Sequence, residues 1–101
     1  LFDPGEKPIS IEMIQKSISD YYGLRIQELK SKNNSKVITL PRQICMYLCK
    51  QLTNASLPQI GRAFSGKHHT TVMYSIAKID QLRQTDKETN KLIQGFIDSF
   101  N

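Results

Sequence analysis

The sequence predicts an all-α fold, a compact domain of about six helices that contains a helix-turn-helix and follows a short linker. Three observations carry this expectation. Apolar residues recur at helical spacing through most of the chain, helix-capping residues stand ahead of several of these runs, and no alternating β-type pattern competes with them. At 101 residues, 39% hydrophobic and 23% charged, the chain suffices for one core.

Pro4, Gly5 and Pro8 break helix, so residues 1–8 are expected to be a linker from something upstream, with the folded domain over 9–101. Ser10 suits the N-cap of a first helix to about Tyr22, with Ile11, Ile14, Ile18 and Tyr21 on one stripe and Gly23 placed to end it. A short helix over Arg25 to Lys30 follows. Ser31 to Lys36 holds no apolar side chain and predicts an exposed loop. A third helix is expected from about Pro41 to Leu52, since proline suits a first turn and Ile44, Tyr47, Leu48 and Leu52 form a buried stripe. Cys45 and Cys49, four residues apart, share a face of that helix and are expected to be buried, reduced thiols.

Ser56, Leu57, Pro58 and Gln59 match a capping box with proline in the first turn, starting a short helix that ends near Phe64. Ser65 and Gly66 make a turn. The next helix starts near His69 and runs to about Leu82, with Val72, Ile76 and Ile79 facing the core and Thr71, Ser75 and Lys78 on another side. Asp86 suits the cap of a last helix to Phe100, with Leu92, Phe96 and Phe100 on its apolar side.

Charge is segregated along this chain. Between Leu29 and Ile79 there is no Asp or Glu, while Lys30, Lys32, Lys36, Arg42, Lys50, Arg62, Lys67 and Lys78 give the stretch a formal charge of +8 within a net +5. An anionic partner explains such segregation better than solubility does, because interspersed signs serve solubility equally well. Two short helices around a glycine turn, the second beginning in small polar residues, form the pattern of a DNA-binding helix-turn-helix. Thr70 and Thr71 also fit plain helix caps, and the lysines fit a solvated face. The combination of turn, polar helix start and acid-free stretch favours double-stranded DNA.

Other functions find less support. No Walker-type loop, nucleophile elbow or carboxylate cluster is present, so no catalysis and no cofactor are expected in this stretch. Cys45, Cys49, His68 and His69 could in principle ligate zinc, yet their spacing matches neither finger nor knuckle, and no metal is expected. With neither a membrane-spanning run nor a signal peptide, a cytoplasmic location is the expectation.

The run Ile60-Gly61-Arg62-Ala63-Phe64-Ser65-Gly66-Lys67-His68-His69-Thr70-Thr71-Val72 resembles the signature segment of the DnaA family of bacterial chromosomal replication initiators. Pro8 to Gly23, Pro41-Arg42-Gln43-Ile44, Met46-Tyr47-Leu48, Leu52-Thr53 and Ser56-Leu57-Pro58 resemble the same family's C-terminal DNA-binding domain, so the likeness covers roughly residues 8 to 84. The resemblance implies binding to origin boxes related to TTATCCACA. By position it implies base reading by His68, His69, Thr70 and Thr71, and backbone contacts from Arg42, Gln43, Lys50, Leu57, Pro58 and Lys67. It also implies a minor-groove loop with Lys32, Asn34 and Lys36. His68 stands where the family usually has Asp, and Asn34 where it commonly has Arg, so altered specificity and weaker minor-groove reading are expected. An upstream AAA+ module binding ATP and Mg²⁺ is implied for the longer protein. Regulatory proteins and acidic phospholipid, through the linker helix, are implied as further partners, with no obligate oligomer for the isolated domain.

Overall fold

The computed structural model describes residues 8–101. Among them the chain forms six helices: α1 (Ile11–Tyr22), α2 (Ile26–Lys30), α3 (Lys36–Leu52), α4 (Leu57–Ala63), α5 (His69–Thr85) and α6 (Lys87–Ser99). No strand occurs among the described residues. Of the expected linker over 1–8, only Pro8 falls within them, in exposed irregular chain.

Local chemistry accounts for most boundaries. The Ser10 hydroxyl accepts from the Met13 N–H, and Gly23 ends α1 at φ 66°, a left-handed conformation that only glycine adopts without a steric penalty. Asp86 caps α6 through the Glu88 N–H. On α1 the inner stripe is turned from the expected one. Ile14 and Ile18 are fully buried, but Tyr21 is 60% exposed, and Gln15 and Ser19 take the remaining inward positions. Gln15 is satisfied there by donating to the Ala63 carbonyl at the end of α4, at 2.9 Å.

The third helix begins five residues before the position expected from Pro41. Ser35 is its N-cap residue and Lys36 its first residue, which leaves Pro41 inside the helix. Proline there supplies no N–H to the Val37 carbonyl, a defect worth about 3 kcal/mol in an ordinary helix interior. Burial of Ile38 provides the compensation. It is 6% exposed and lies three and four residues ahead of buried Pro41 and Arg42, so the upstream turn extends the inward face.

From Pro41 to Cys49 every residue of α3 is buried, because this helix packs against all five others and most extensively against α5. Cys45 and Cys49 are buried and unpaired, and burial, reinforced by Cys49, pushes the Cys45 thiol well above its ordinary pKa. Around α3, side chains such as Ile14, Ile18, Leu48, Ile60, Phe64, Val72, Ile79 and Ile93 are fully buried, each worth roughly 1.5–3 kcal/mol. Ile93, not Leu92, is the deepest residue of α6. Arg83 locks the end of α5 in place, with Nε on Asn90 at 2.8 Å, Nη1 on the Tyr47 hydroxyl at 3.1 Å and Nη2 on Gln94 at 2.7 Å.

Candidate nucleic-acid interface

The corner between α4 and α5 is built by a reciprocal cap, a close-packed glycine and two left-handed residues. Ser56 Oγ accepts from the Gln59 N–H at 3.2 Å while Gln59 Oε1 accepts from the Ser56 N–H at 2.7 Å, and Pro58 lies in the first turn. At the other end of α4, the Gly61 carbonyl accepts from the N–H groups of Phe64 and Lys67. A Cβ on Gly61 would run into the Lys67 carbonyl, so the returning chain lies directly on this glycine. Ser65 (φ 63°) and Gly66 (φ 73°) then reverse the chain.

Helix α5 emerges with its polar start in solvent. His68 is the N-cap residue, its Nδ1 accepting from the Thr70 N–H at 3.3 Å, and His68, His69, Thr70 and Thr71 are all exposed. Val72 and Ile79 are fully buried and Ile76 half-buried, which anchors the opposite face. Ser75 departs from the expectation. It does not share the free face with Thr71 but is 3% exposed, its hydroxyl donating to the Thr71 carbonyl at 2.9 Å. A serine satisfied one turn back within its own helix can be buried at little cost, so its polarity does not mark an outer face.

The basic loop is drawn to this corner by the carbonyls at the end of α2. A helix C-terminus leaves carbonyls without intrahelical donors, and here cations and a hydroxyl supply them. Arg42 Nε donates to the Leu29 carbonyl at 2.9 Å, Ser65 Oγ to that of Lys30 at 2.6 Å, and Lys67 Nζ to that of Ser31 at 3.3 Å. Arg42 Nη2 also holds the Asn33 carbonyl at 2.9 Å, inside the loop. Arg42, expected as a DNA-backbone contact, is 4% exposed, with its Nε and Nη2 on carbonyls. Desolvation lowers its pKa, though a guanidinium keeps its charge throughout the physiological range. Lys67 is half-buried, and desolvation together with Arg42 and Lys32 lowers its pKa as well.

Two grooves flank the exposed side of α5. One is lined by Lys32, Asn34, Arg42, Gln43, Lys67, Thr71 and Tyr74, and so joins the loop to the helix start. Gln43 is 6% exposed, and its Oε1 and the Thr39 hydroxyl, both at this groove, are buried without a hydrogen-bond partner. On the far side lies a groove lined by Lys50, Leu57, Met73 and Ala77, among others, with Asp80 also present. Lys50 and Pro58 are exposed and Leu57 half-buried. Lys36 is exposed on the first turn of α3 but lines neither groove.

Met73 and Tyr74 were absent from the sequence-derived candidates, yet they are 52% and 64% exposed on the face below the polar start. Their spacing was a usable signal, for Met73 lies i+4 from His69 and Tyr74 i+4 from Thr70. Among the described residues no group of three or more His, Cys, Asp or Glu side chains is placed to hold a metal, and no helix is long and apolar enough to cross a membrane.

Comparison with known proteins decides the family. A model of the bacterial DnaA protein helix-turn-helix matches residues 11–79, which span α1 through most of α5. The chain belongs to the DnaA helix-turn-helix family. It is 51% identical over 91 residues to the chromosomal replication initiator protein DnaA of Methylobacillus flagellatus, covering 90% of this chain and 19% of that protein. To the DnaA of Geobacter metallireducens it is 43% identical over 88 residues, 87% of this chain and 20% of that one. A crystal structure described as a DNA replication initiation factor superposes with a TM-score of 0.79 at 28% identity, over 89% of this chain and 28% of that one. The chain thus spans about a fifth of the curated relatives it matches, the part that is a DNA-binding helix-turn-helix rather than an enzyme.

Proposed function

We propose that this domain recognises replication-origin boxes related to TTATCCACA in double-stranded DNA, as the DNA-reading part of a longer replication initiator. The exposed polar start of α5, bordered by lysine-bearing grooves on both sides, is the observation that carries the reading. An α-helix about 10–12 Å across fits a major groove about 12 Å wide, and the backbones that border the groove would then lie over the two flanks. His68, His69, Thr70 and Thr71 would meet base edges, while Lys50, Leu57, Pro58 and Lys67 would fix register on phosphate and sugar. Lys32 and Asn34 would approach the neighbouring minor groove, with Lys36 beside them. The unpartnered Gln43 Oε1 and Thr39 hydroxyl support a polar ligand on the loop side. ATP and Mg²⁺ would be held by an upstream module of the longer protein, acting in the cytoplasm at the nucleoid.

Fluorescence anisotropy with a labelled box duplex and a scrambled duplex at one salt concentration tests the proposal. Tighter binding to the box is expected, and equal affinity overturns it. Thr70→Ala should cost about 1–3 kcal/mol on the box and much less on scrambled DNA. Equal weakening on both would assign Thr70 to positioning.

A further inference from the structure

We infer that His68 is a specificity-determining residue that presents a hydrogen-bond donor, its Nε2–H, to the base edge it meets; this rests on the proposed DNA reading. The helix cap fixes which ring nitrogen carries the proton. Thr70 N–H points at His68 Nδ1 from 3.3 Å, and a backbone N–H can only donate, so Nδ1 must offer a lone pair. The Thr70 hydroxyl lies 2.9 Å from the same nitrogen, and beside an unprotonated Nδ1 its hydrogen can share that single lone pair. A neutral imidazole with a free Nδ1 lone pair is protonated at Nε2.

The ring is exposed, and the His69 ring packs on it with centroids 4.3 Å apart and planes at 34°, a contact that restrains its orientation. Protonation of the ring would break the cap and still leave Nε2 a donor. The polarity shown to DNA is therefore the same in either charge state.

The major groove makes this polarity a choice among bases. Guanine offers O6 and N7 as acceptors, adenine N7 and thymine O4, whereas cytosine offers only its N4 amino donor. Cytosine opposite His68 would set donor against donor. An aspartate at this position would behave in the opposite way, since a carboxylate only accepts. One oxygen could cap Thr70 N–H and the other could take a cytosine amino hydrogen. Thr70 is affected too, because a hydroxyl whose hydrogen goes to His68 has lone pairs left to accept from a base.

The test is a panel of box duplexes, each position replaced by all four base pairs, bound at one salt concentration by the wild type and by His68→Asp, which retains a good helix cap. At one position the wild type should favour an acceptor-bearing base over cytosine by about 5- to 150-fold, the range for a base-edge contact of about 1–3 kcal/mol. His68→Asp should prefer cytosine at that same position. Identical base preferences for the two proteins at every position would overturn the inference while leaving box recognition standing. Indifference of both proteins to every duplex, the scrambled one included, would instead sink the DNA-reading proposal. Nitrogen-15 NMR of the free domain gives a check that needs no DNA: a proton on Nδ1 and none on Nε2 would refute the assignment.

Discussion

Replacing Arg42 separates a phosphate ligand from a support for the loop. Arg42→Ala removes two charge-assisted bonds, to the carbonyls of Leu29 and Asn33, from a side chain only 4% exposed, so little is lost to solvent screening. Each such bond is worth about 1.5–3 kcal/mol, and an orphaned Leu29 carbonyl adds to the cost, giving an expected destabilisation of at least about 3 kcal/mol. Against a typical domain stability of about 5–15 kcal/mol this is large, so Arg42→Lys is the more informative variant. One ammonium cannot match a guanidinium fork spread over two carbonyls, and about half of the loss should remain. Urea unfolding measures the stability, and limited proteolysis within residues 31–35 reports whether the loop has come loose. A phosphate ligand would behave differently, with lysine largely preserving both stability and DNA binding. If Arg42→Ala unfolds within about 0.5 kcal/mol of wild type and keeps the loop protected while losing DNA affinity, the support role is refuted.

Other perturbations probe the corner and the exposed face. Gly61→Ala drives a methyl into the Lys67 carbonyl and should cost about 1–3 kcal/mol in thermal or urea unfolding, because backbone, not a flexible side chain, must yield. Tyr74→Ala, at 64% exposure, should leave stability within about 0.5 kcal/mol while weakening DNA binding in anisotropy, and unchanged affinity would remove Tyr74 from the interface. Lys67 has a lowered pKa, through desolvation first and then Arg42 and Lys32, so it sheds its proton before ordinary lysines as pH rises. As pH rises, the slope of log affinity against log salt should then shrink by about 0.9 before ordinary lysine contacts are lost, and Lys67→Gln should abolish that change. Folding stability moves the opposite way. The unfolded chain binds the extra proton between the lowered folded pKa and the ordinary unfolded one, so this group's contribution rises with pH across that window.

Features governed by neighbours along the chain were legible in advance. Ser10, Gly23, the Ser56–Gln59 box, the Ser65–Gly66 turn and Asp86 act on backbone groups within a few residues, and the structure places each where its chemistry demands. The sequence by itself therefore determined the helical class, most helix ends, the free thiols and the polar start of α5 as the element to watch. Tertiary structure alone decided the rest. Arg42 is held by carbonyls that lie 13 and 9 residues away, and Ser65 and Lys67 reach carbonyls 35 and 36 residues away. Ile38 carried α3 past the boundary that Pro41 suggested, and Ser75 turned inward, because burial against distant helices outweighs a local preference. A lysine or arginine in a sequence looks equally available wherever it stands. Only packing shows which cations also hold the domain's own carbonyls.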